Sequence, residues 1–148
     1  MVQSKSDDMF ELYEAFILAA RNWSNEWNNH NQISLSPTHV LILELLELDK
    51  VKRPSKLAQE LHITTGGVTA LTNKLVKDGF IKRSHLEDDR RAIVLEITDT
   101  GRTLLEEARK QKMLIMKKMF GMLSDSELNH IKEIFKKMNE RGTKEEEK

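Results

Sequence analysis

Two short strand-like runs separated by a charged loop, near the middle of the chain, constrain its fold more than any other segment. Residues 80–83 and 92–97 carry clustered or alternating apolar and β-branched side chains, which are typical of strands. The pattern predicts a thin β-hairpin whose loop, residues 84–91, contains Asp89 and Arg91. A carboxylate two residues before an arginine can brace its guanidinium through a charge-assisted hydrogen bond. An arginine aimed outward from a narrow hairpin suits the minor groove of DNA.

The residues before this hairpin have the spacing of a helix-turn-helix. Pro54 opens a short helical pattern, residues 62–64 form a three-residue turn, and Thr64 can cap a second helix that stops at Gly79. These lengths match helix-turn-helix dimensions. A hairpin directly after such a unit is a wing. The predicted fold class is therefore mainly α with a small β-hairpin wing, a winged helix-turn-helix.

The second helix of this unit has two distinct faces at about 100° per residue. The face predicted to point to the core carries Val68, Leu71, Thr72 and Leu75. The opposite face has no bulky or acidic residue, which suits a helix lying in the major groove. Asn73 can pair with adenine in bidentate fashion, and Thr69 and Ala70 can touch thymine methyl groups. Lys74 and Lys77 suit phosphates.

Two adjacent glycines, Gly66 and Gly67, stand at the start of the same helix. A glycine inside a helix costs about 0.8–1.0 kcal/mol relative to alanine. At a helix N-terminus the pair lowers the steric barrier to close approach and leaves backbone amides for a phosphate. Thr65 and Gly66 are therefore predicted DNA contacts. A loose first turn explains the glycine pair equally well.

Amphipathic helices are predicted on both sides of the winged unit. The first covers about residues 7–30, and two more cover about 99–141, the last starting at a capping box on Ser124 and ending at Gly142. Residues 142–148 are predicted to be a frayed, charged tail. These helices carry more apolar surface than one small winged helix can cover, which favours a dimer; a monomer that folds the helices back on itself is the alternative. The residues concerned are Trp23, Trp27, Met113, Met116, Met119, Phe120, Met122 and Phe135.

The charge of the chain is unevenly distributed. Its 148 residues have a formal net charge of zero. Residues 50–102 carry eleven Lys or Arg against seven Asp or Glu, a net charge of +4, so the basic excess coincides with the predicted DNA-binding unit. An excess of this size also arises by chance on a solvated surface.

Several functional classes lack support in the sequence. The chain has no cysteine, which excludes disulfides, thiol redox sensing and cysteine-ligated metals, and fits a reducing compartment. The five histidines are scattered without zinc-type spacing, so no metal or other cofactor is predicted.

No apolar run reaches membrane-spanning length and the N-terminus lacks a signal-peptide core, which predicts a cytoplasmic protein without a membrane partner. Enzyme motifs such as a phosphate loop or a nucleophile elbow are absent from the sequence. A helical protein-interaction module without DNA binding is the alternative function.

The residues assembled above resemble the MarR family of bacterial transcriptional regulators. The family pattern is Asp-x-Arg, five residues, then Leu-Thr. Here it stands as Asp89 to Arg91, five residues, then Ile97 and Thr98, with isoleucine in place of leucine. Residues 57–61 are also similar to the third helix of the family.

The resemblance implies one domain, residues 9–141, that forms a homodimer on double-stranded DNA. The helix-turn-helix is expected over about 54–78, the wing over about 79–98, and dimerisation helices over about 7–30 and 99–141. A twofold dimer would present its two reading helices to successive major grooves, about 34–36 Å apart, on an inverted repeat.

The resemblance also suggests roles for single residues. Arg91 is the predicted wing arginine, Asp89 its brace, and Arg90 and Lys56 are phosphate contacts. Alternatively, Asp89 and Arg91 form a surface ion pair of little energetic worth. The complete set of predicted DNA contacts is Lys56, Thr65, Gly66, Thr69, Ala70, Asn73, Lys74, Lys77, Asp89, Arg90 and Arg91.

Members of the MarR family, which the chain resembles, commonly respond to small aromatic or lipophilic compounds. Trp23, Trp27 and His39 lie on predicted helices that could line such an effector pocket, although tryptophans at helical spacing belong more often to a core or a dimer interface. Repression is the commoner behaviour in the family, so the resemblance implies a repressor that an effector releases from DNA.

Overall fold

The computed structural model describes residues 4–146 as helices joined to one two-stranded antiparallel sheet. The elements in chain order are α1 (Lys5–His30), α2 (Pro37–Leu48), α3 (Pro54–Leu61), α4 (Thr65–Lys77), β1 (Ile81–His85), β2 (Ile93–Ile97), α5 (Asp99–Phe120) and α6 (Asp125–Glu146). The predicted fold class is confirmed, since α3 and α4 form a helix-turn-helix and the hairpin β1–β2 follows as a wing. The chain divides into two compact units after Lys112.

The core of the first unit is built around α2. Ile42, Leu43 and Leu46 have no exposed surface, and Leu105 of α5 is equally buried. Full burial of an aliphatic side chain of this size stabilises a fold by about 1.5–3 kcal/mol. Leu41 in the middle of α2 and Leu48 at its last position are exposed, so the helix buries one face and not its whole circumference.

Residues with a left-handed backbone conformation lie in the turns before and after α4. His62 is the C-cap that follows α3 and has a φ of 55°, and Thr64 caps α4 as predicted. At the other end of α4, Gly79 has a φ of 80°, and the Phe80 amide donates to the Leu75 carbonyl at 2.9 Å. This is the reversal of a Schellman motif, in which glycine is favoured because it has no Cβ. The turn sends β1 back alongside α4.

The base of the hairpin is held on both edges of β2. Ile81 of β1 lies opposite Ile97, and both are buried. On the other edge, the Lys52 amide donates to the Leu95 carbonyl at 3.0 Å and the Leu95 amide donates back to the Lys52 carbonyl at 2.7 Å. The strands are therefore anchored in the core, while the loop over residues 86–92 projects from them.

Two helix ends differ from the sequence predictions. The α1 helix begins at Lys5, because Ser4 caps it, and not at about residue 7. The α6 helix continues through Gly142 to Glu146, so the predicted stop at Gly142 and the frayed tail are wrong for residues 142–146. Glycine ends a helix when its backbone turns left-handed, and Gly142 does not adopt a positive φ. The last two residues of the predicted tail, Glu147 and Lys148, lie outside the described residues.

Candidate nucleic-acid interface

The exposed face of α4 is smooth. Val68, Thr72 and Leu75 are buried on its inner side, as the helical spacing predicted. The exposed residues, each a predicted DNA contact, are Thr65, Gly66, Thr69, Ala70, Asn73, Lys74 and Lys77. The Thr69 hydroxyl donates to the Thr65 carbonyl of the same helix at 3.0 Å, so its methyl group is the part offered to a partner. A face of small and donor side chains fits the major groove, which is about 12 Å wide.

The first turn of α4 offers fewer amides to a phosphate than its two glycines suggested. The Gly67 amide already donates to the Thr64 hydroxyl at 3.0 Å. A Cβ added to Gly66 would meet nothing closer than 3.9 Å, so packing does not require glycine there. The surface at Gly66 is open, which keeps the backbone of this turn approachable.

The lysines predicted to touch phosphates stand in different surroundings. The Lys74 ammonium lies 3.2 Å from the Asp78 carboxylate, one turn further along α4. An exposed pair of this kind is worth about 0–1 kcal/mol and is readily exchanged for a phosphate. Lys77 on α4 and Lys56 on α3 are exposed as well.

The Asp89 carboxylate contacts the backbone of Arg91, which corrects the predicted contact with its guanidinium. Asp89 Oδ1 accepts a hydrogen bond from the Arg91 amide at 3.0 Å. An Asp side chain reaches the amide two residues later directly, as in an Asx turn, whereas the guanidinium would have to fold back along its whole side chain. The Ala92 amide also donates to the Asp89 carbonyl at 3.1 Å. Asp89 therefore shapes the loop that carries the exposed Arg90 and Arg91.

Arg83 is a functional candidate that the sequence did not reveal. Its guanidinium, on β1, donates to the side-chain oxygen of Asn73 on α4. Both residues are exposed, and the contact lies at the surface predicted to face DNA because Asn73 belongs to that surface. The only signal in the sequence is an arginine four residues after the helix-ending glycine, which does not reveal its partner.

Lys52 is a second residue that the sequence did not single out. Its ammonium is almost fully buried, donates to both Glu60 carboxylate oxygens at 2.6 and 2.7 Å, and lies 2.8 Å from Asp49. Burial by itself lowers the pKa of Lys52, but the hydrogen bonds to Asp49 and Glu60 outweigh burial and raise the pKa above its ordinary value. Because the Lys52 backbone pairs with β2, the triad joins α3 to the hairpin.

Of the residues predicted to line an effector pocket, Trp23 and Trp27 lie on α1, and His39 lies in the first turn of α2. The Trp23 and Trp27 rings lie 6.2 Å apart at 35°. Trp27 is only 2% exposed and its indole N–H donates to the Leu35 carbonyl at 2.9 Å, so it is a core residue, as the alternative interpretation held. His39 belongs to the capping box of α2, in which its Nδ1 accepts from the Ser36 amide at 3.2 Å.

The capping role of His39 makes stability depend on pH. A backbone amide only donates, so Nδ1 must be unprotonated, and burial followed by the charge of Lys74 lowers the pKa of His39, against the opposing effect of Asp78. As pH falls below about 6.5, His39 is protonated in the unfolded chain before it is protonated in the folded protein. The stabilisation that His39 provides is therefore complete above about pH 6.5 and is lost at lower pH.

We therefore expect His39→Gln, which keeps a side chain suited to the capping box, to lose less stability than the natural protein between pH 7.5 and 5.5. Urea unfolding at the two pH values measures the difference. A gap between the two proteins that stays constant with pH would contradict this role for His39.

The described part of the chain contains neither a group of side chains that could bind a metal ion nor a helix that could span a membrane. Within residues 4–142, whose side chains the structure describes, no three His, Asp or Glu side chains are grouped so that they could hold a metal ion. No helix in the same range combines the length and hydropathy needed to span a bilayer.

Comparison with known sequences identifies relatives among bacterial regulators. Residues 35–93 match the model of the MarR family. The HTH-type transcriptional regulator YpoP of Bacillus subtilis (strain 168) is 30% identical over 117 residues, which cover 79% of this chain and 83% of YpoP. YfiV of the same organism is 26% identical over 128 residues, which cover 86% of this chain and 78% of YfiV.

Comparison with solved structures identifies the same architecture. The transcriptional regulator BldR from Sulfolobus solfataricus aligns with a TM-score of 0.78 and 25% identity, over 94% of this chain and 99% of BldR. A mutant MarR from E. coli complexed with operator DNA aligns with a TM-score of 0.77 and 15% identity, over 92% and 99%. Bordetella bronchiseptica BpsR aligns with a TM-score of 0.75 and 20% identity, over 87% and 98%.

A helix-turn-helix with a smooth exposed face, followed by an anchored hairpin with two exposed arginines, defines the chain as a winged-helix DNA-binding transcriptional regulator. The two sequence relatives are likewise named as HTH-type transcriptional regulators. The chain belongs to the MarR family, whose members regulate transcription and are not enzymes.

Proposed function

We propose that this regulator is a cytoplasmic homodimeric repressor that binds an inverted-repeat operator and is released by a small aromatic or lipophilic effector. The observation that carries the proposal is the smooth face of α4 next to a hairpin whose loop exposes Arg90 and Arg91. In this proposal α4 enters the major groove, with Asn73 at base edges, and Arg91 enters the adjacent minor groove. Lys56, Lys74, Lys77 and Arg90 neutralise phosphates.

Exposed apolar surface supports the homodimer. The N-terminal part of α1 carries apolar residues that are each more than half exposed: Met9, Phe10, Leu12, Tyr13, Phe16 and Leu18. In the second unit, Ile134, Phe135 and Met138 of α6 are also exposed. Soluble monomers rarely leave large contiguous apolar patches in water, and such patches mark interaction sites. A second copy of the chain is the partner that the family resemblance implies.

An aromatic effector is the finer part of the proposal. Trp23 is half-buried beside Trp27, so its indole is the more accessible of the two predicted ligand contacts on α1. The DNA binding of BpsR, a structural neighbour, is regulated by 6-hydroxynicotinic acid, which makes aromatic acids a suitable first set of probes. An effector that binds the DNA-incompetent form more tightly shifts the population away from the operator.

The test combines DNA binding with sedimentation. Fluorescence anisotropy on duplexes from the upstream region of the gene is expected to show saturable binding. We expect the affinity to fall by three orders of magnitude or more between about 50 and 200 mM salt, because several phosphates are neutralised. Sedimentation velocity is expected to give twice the 17.2 kDa mass of the chain. Added 6-hydroxynicotinic acid or hydroxybenzoic acids are expected to release the DNA.

Three results would count against separate parts of this function. A monomer that binds DNA would remove the homodimer and the inverted repeat. Unchanged binding across a panel of aromatic and lipophilic compounds would remove the effector. A protein that ignores every duplex at low salt would instead be the helical interaction module that the sequence left as an alternative.

A further inference from the structure

We propose that Arg83 sets the base preference of Asn73, so that this position of the reading helix selects guanine instead of adenine. The inference rests on the proposed function, because it requires α4 to lie in the major groove. It concerns which base pair Asn73 reads, which neither the fold nor the family decides.

The contact is placed by the turn that ends α4. Gly79 reverses the chain with a φ of 80°, so that β1 runs back beside the helix and Arg83 comes within reach of Asn73. The backbone of Arg83 is held opposite Leu95 in the hairpin. Leu95 is in turn bound on its other edge by both backbone hydrogen bonds to Lys52. Arg83 therefore projects from an anchored strand and not from a mobile loop.

The chemistry of arginine determines which end of the Asn73 amide it binds. A guanidinium has N–H donors and no acceptor, so the atom that faces Arg83 must be the carbonyl oxygen Oδ1. The Asn73 NH₂ group is then the end of the amide that is left to meet a base. Amide orientation, which usually has to be inferred from the surroundings, is settled here by the partner.

This orientation opposes recognition of adenine. A bidentate Asn–adenine pair needs Oδ1 to accept from the adenine amino group while the NH₂ group donates to N7. With Arg83 on Oδ1, the adenine amino group would have to share that oxygen with a cation and lie close to its positive charge. Guanine presents two acceptors, O6 and N7, in the same place. The Asn73 NH₂ group offers donors alone, which match guanine.

Neighbouring charges leave this pair intact. The Asp78 carboxylate, one turn further along α4, is paired with Lys74 at 3.2 Å. On the wing, Lys82 points to the opposite face of β1 and lies 3.7 Å from Glu96 of β2. Lys82 is thus a cation on the same strand that is directed away from the reading helix, which makes it a matched control.

The test is selection of bound duplexes from a randomised pool, followed by anisotropy on duplexes that differ only at the selected base pair. Asn73→Ala identifies the base pair that Asn73 reads, because the base preference at that position is lost in the variant. At this position the natural protein is expected to prefer guanine to adenine. Arg83→Met frees Oδ1, and we expect the guanine-to-adenine affinity ratio to fall by about tenfold or more, towards adenine. Lys82→Met removes the same charge and should leave that ratio unchanged.

A double-mutant cycle separates coupling from charge loss. In the Asn73→Ala background, Arg83→Met is expected to have no further effect on base preference. Selection of adenine by the natural protein would overturn the inference. An Arg83→Met variant that loses affinity equally for all four bases, with a shallower salt dependence, would also overturn it, because Arg83 would then be a phosphate contact. Loss of all duplex binding by the natural protein would overturn the proposed function itself, a result distinct from binding with the wrong preference.

Discussion

Replacing Gly101 with alanine is expected to lower the free energy of unfolding by about 1–3 kcal/mol, the usual cost of overpacking a core. A Cβ at this position would lie 2.1 Å from the Phe80 carbonyl oxygen and 2.8 Å from Ile97 Cγ1. The Phe80 carbonyl cannot simply move aside, because it accepts a hydrogen bond from the Thr98 amide at 3.0 Å. Relief of the clash must therefore separate the start of α5 from the start of the hairpin.

Urea unfolding followed by circular dichroism measures this effect. Gly66→Ala is the matched control, since the nearest atom to its added Cβ is 3.9 Å away. That variant is expected to be as stable as the natural protein or slightly more stable, because alanine restricts the unfolded chain and favours the helix. Equal unfolding midpoints for the two variants would show that the backbone around Gly101 relaxes, and the close packing of α5 on the hairpin would have to be reconsidered.

Arg91→Ala is expected to weaken operator binding by about ten- to hundredfold, the range for a lost base-edge or groove arginine. Asp89→Ala is expected to weaken it as well, although this change removes a negative charge that repels DNA. The reason is the hydrogen bond from the Arg91 amide to the Asp89 carboxylate, which shapes the loop around both arginines. Charge counting alone predicts the opposite sign for Asp89.

Glu87 provides the control for this pair. It is an exposed carboxylate in the same loop, so Glu87→Ala removes the same charge and is expected to leave binding equal or tighter. Anisotropy at several salt concentrations measures all three variants on one duplex. If Asp89→Ala bound more tightly, as Glu87→Ala is expected to, the carboxylate would have no part in presenting Arg91.

Local chemistry explains how much of this fold could be predicted. Ser36 and Pro37 start α2 and Pro54 starts α3, because caps and first-turn prolines act within four residues of a helix end. The buried face of α4 followed from its 3.6-residue period. Gly142 shows where such signals fail, because a glycine marks a helix end only when the backbone adopts a positive φ there.

The candidate site was harder to predict because its key contacts join residues that no local pattern relates. Asn73 was chosen from its position on α4, but its partner Arg83 belongs to the next element. The sequence predicted that Asp89 contacts the Arg91 guanidinium, whereas the carboxylate accepts a hydrogen bond from the Arg91 backbone amide. No local sequence pattern distinguishes Lys52 from the charged residues beside it, and only packing shows that it is buried between α3 and the hairpin.

Periodicity, caps and turn residues by themselves determined the helix-turn-helix, the wing and the exposed face of α4, because each depends on interactions within one turn or one hairpin. Tertiary structure alone decided that Arg83 occupies the acceptor of Asn73, that Lys52, between α2 and α3, pairs with Glu60 of α3 and with β2, and that Gly101 has no space for a side chain. These contacts join residues brought together only when the elements pack, and the energy of such a contact depends on a partner that sequence spacing does not identify.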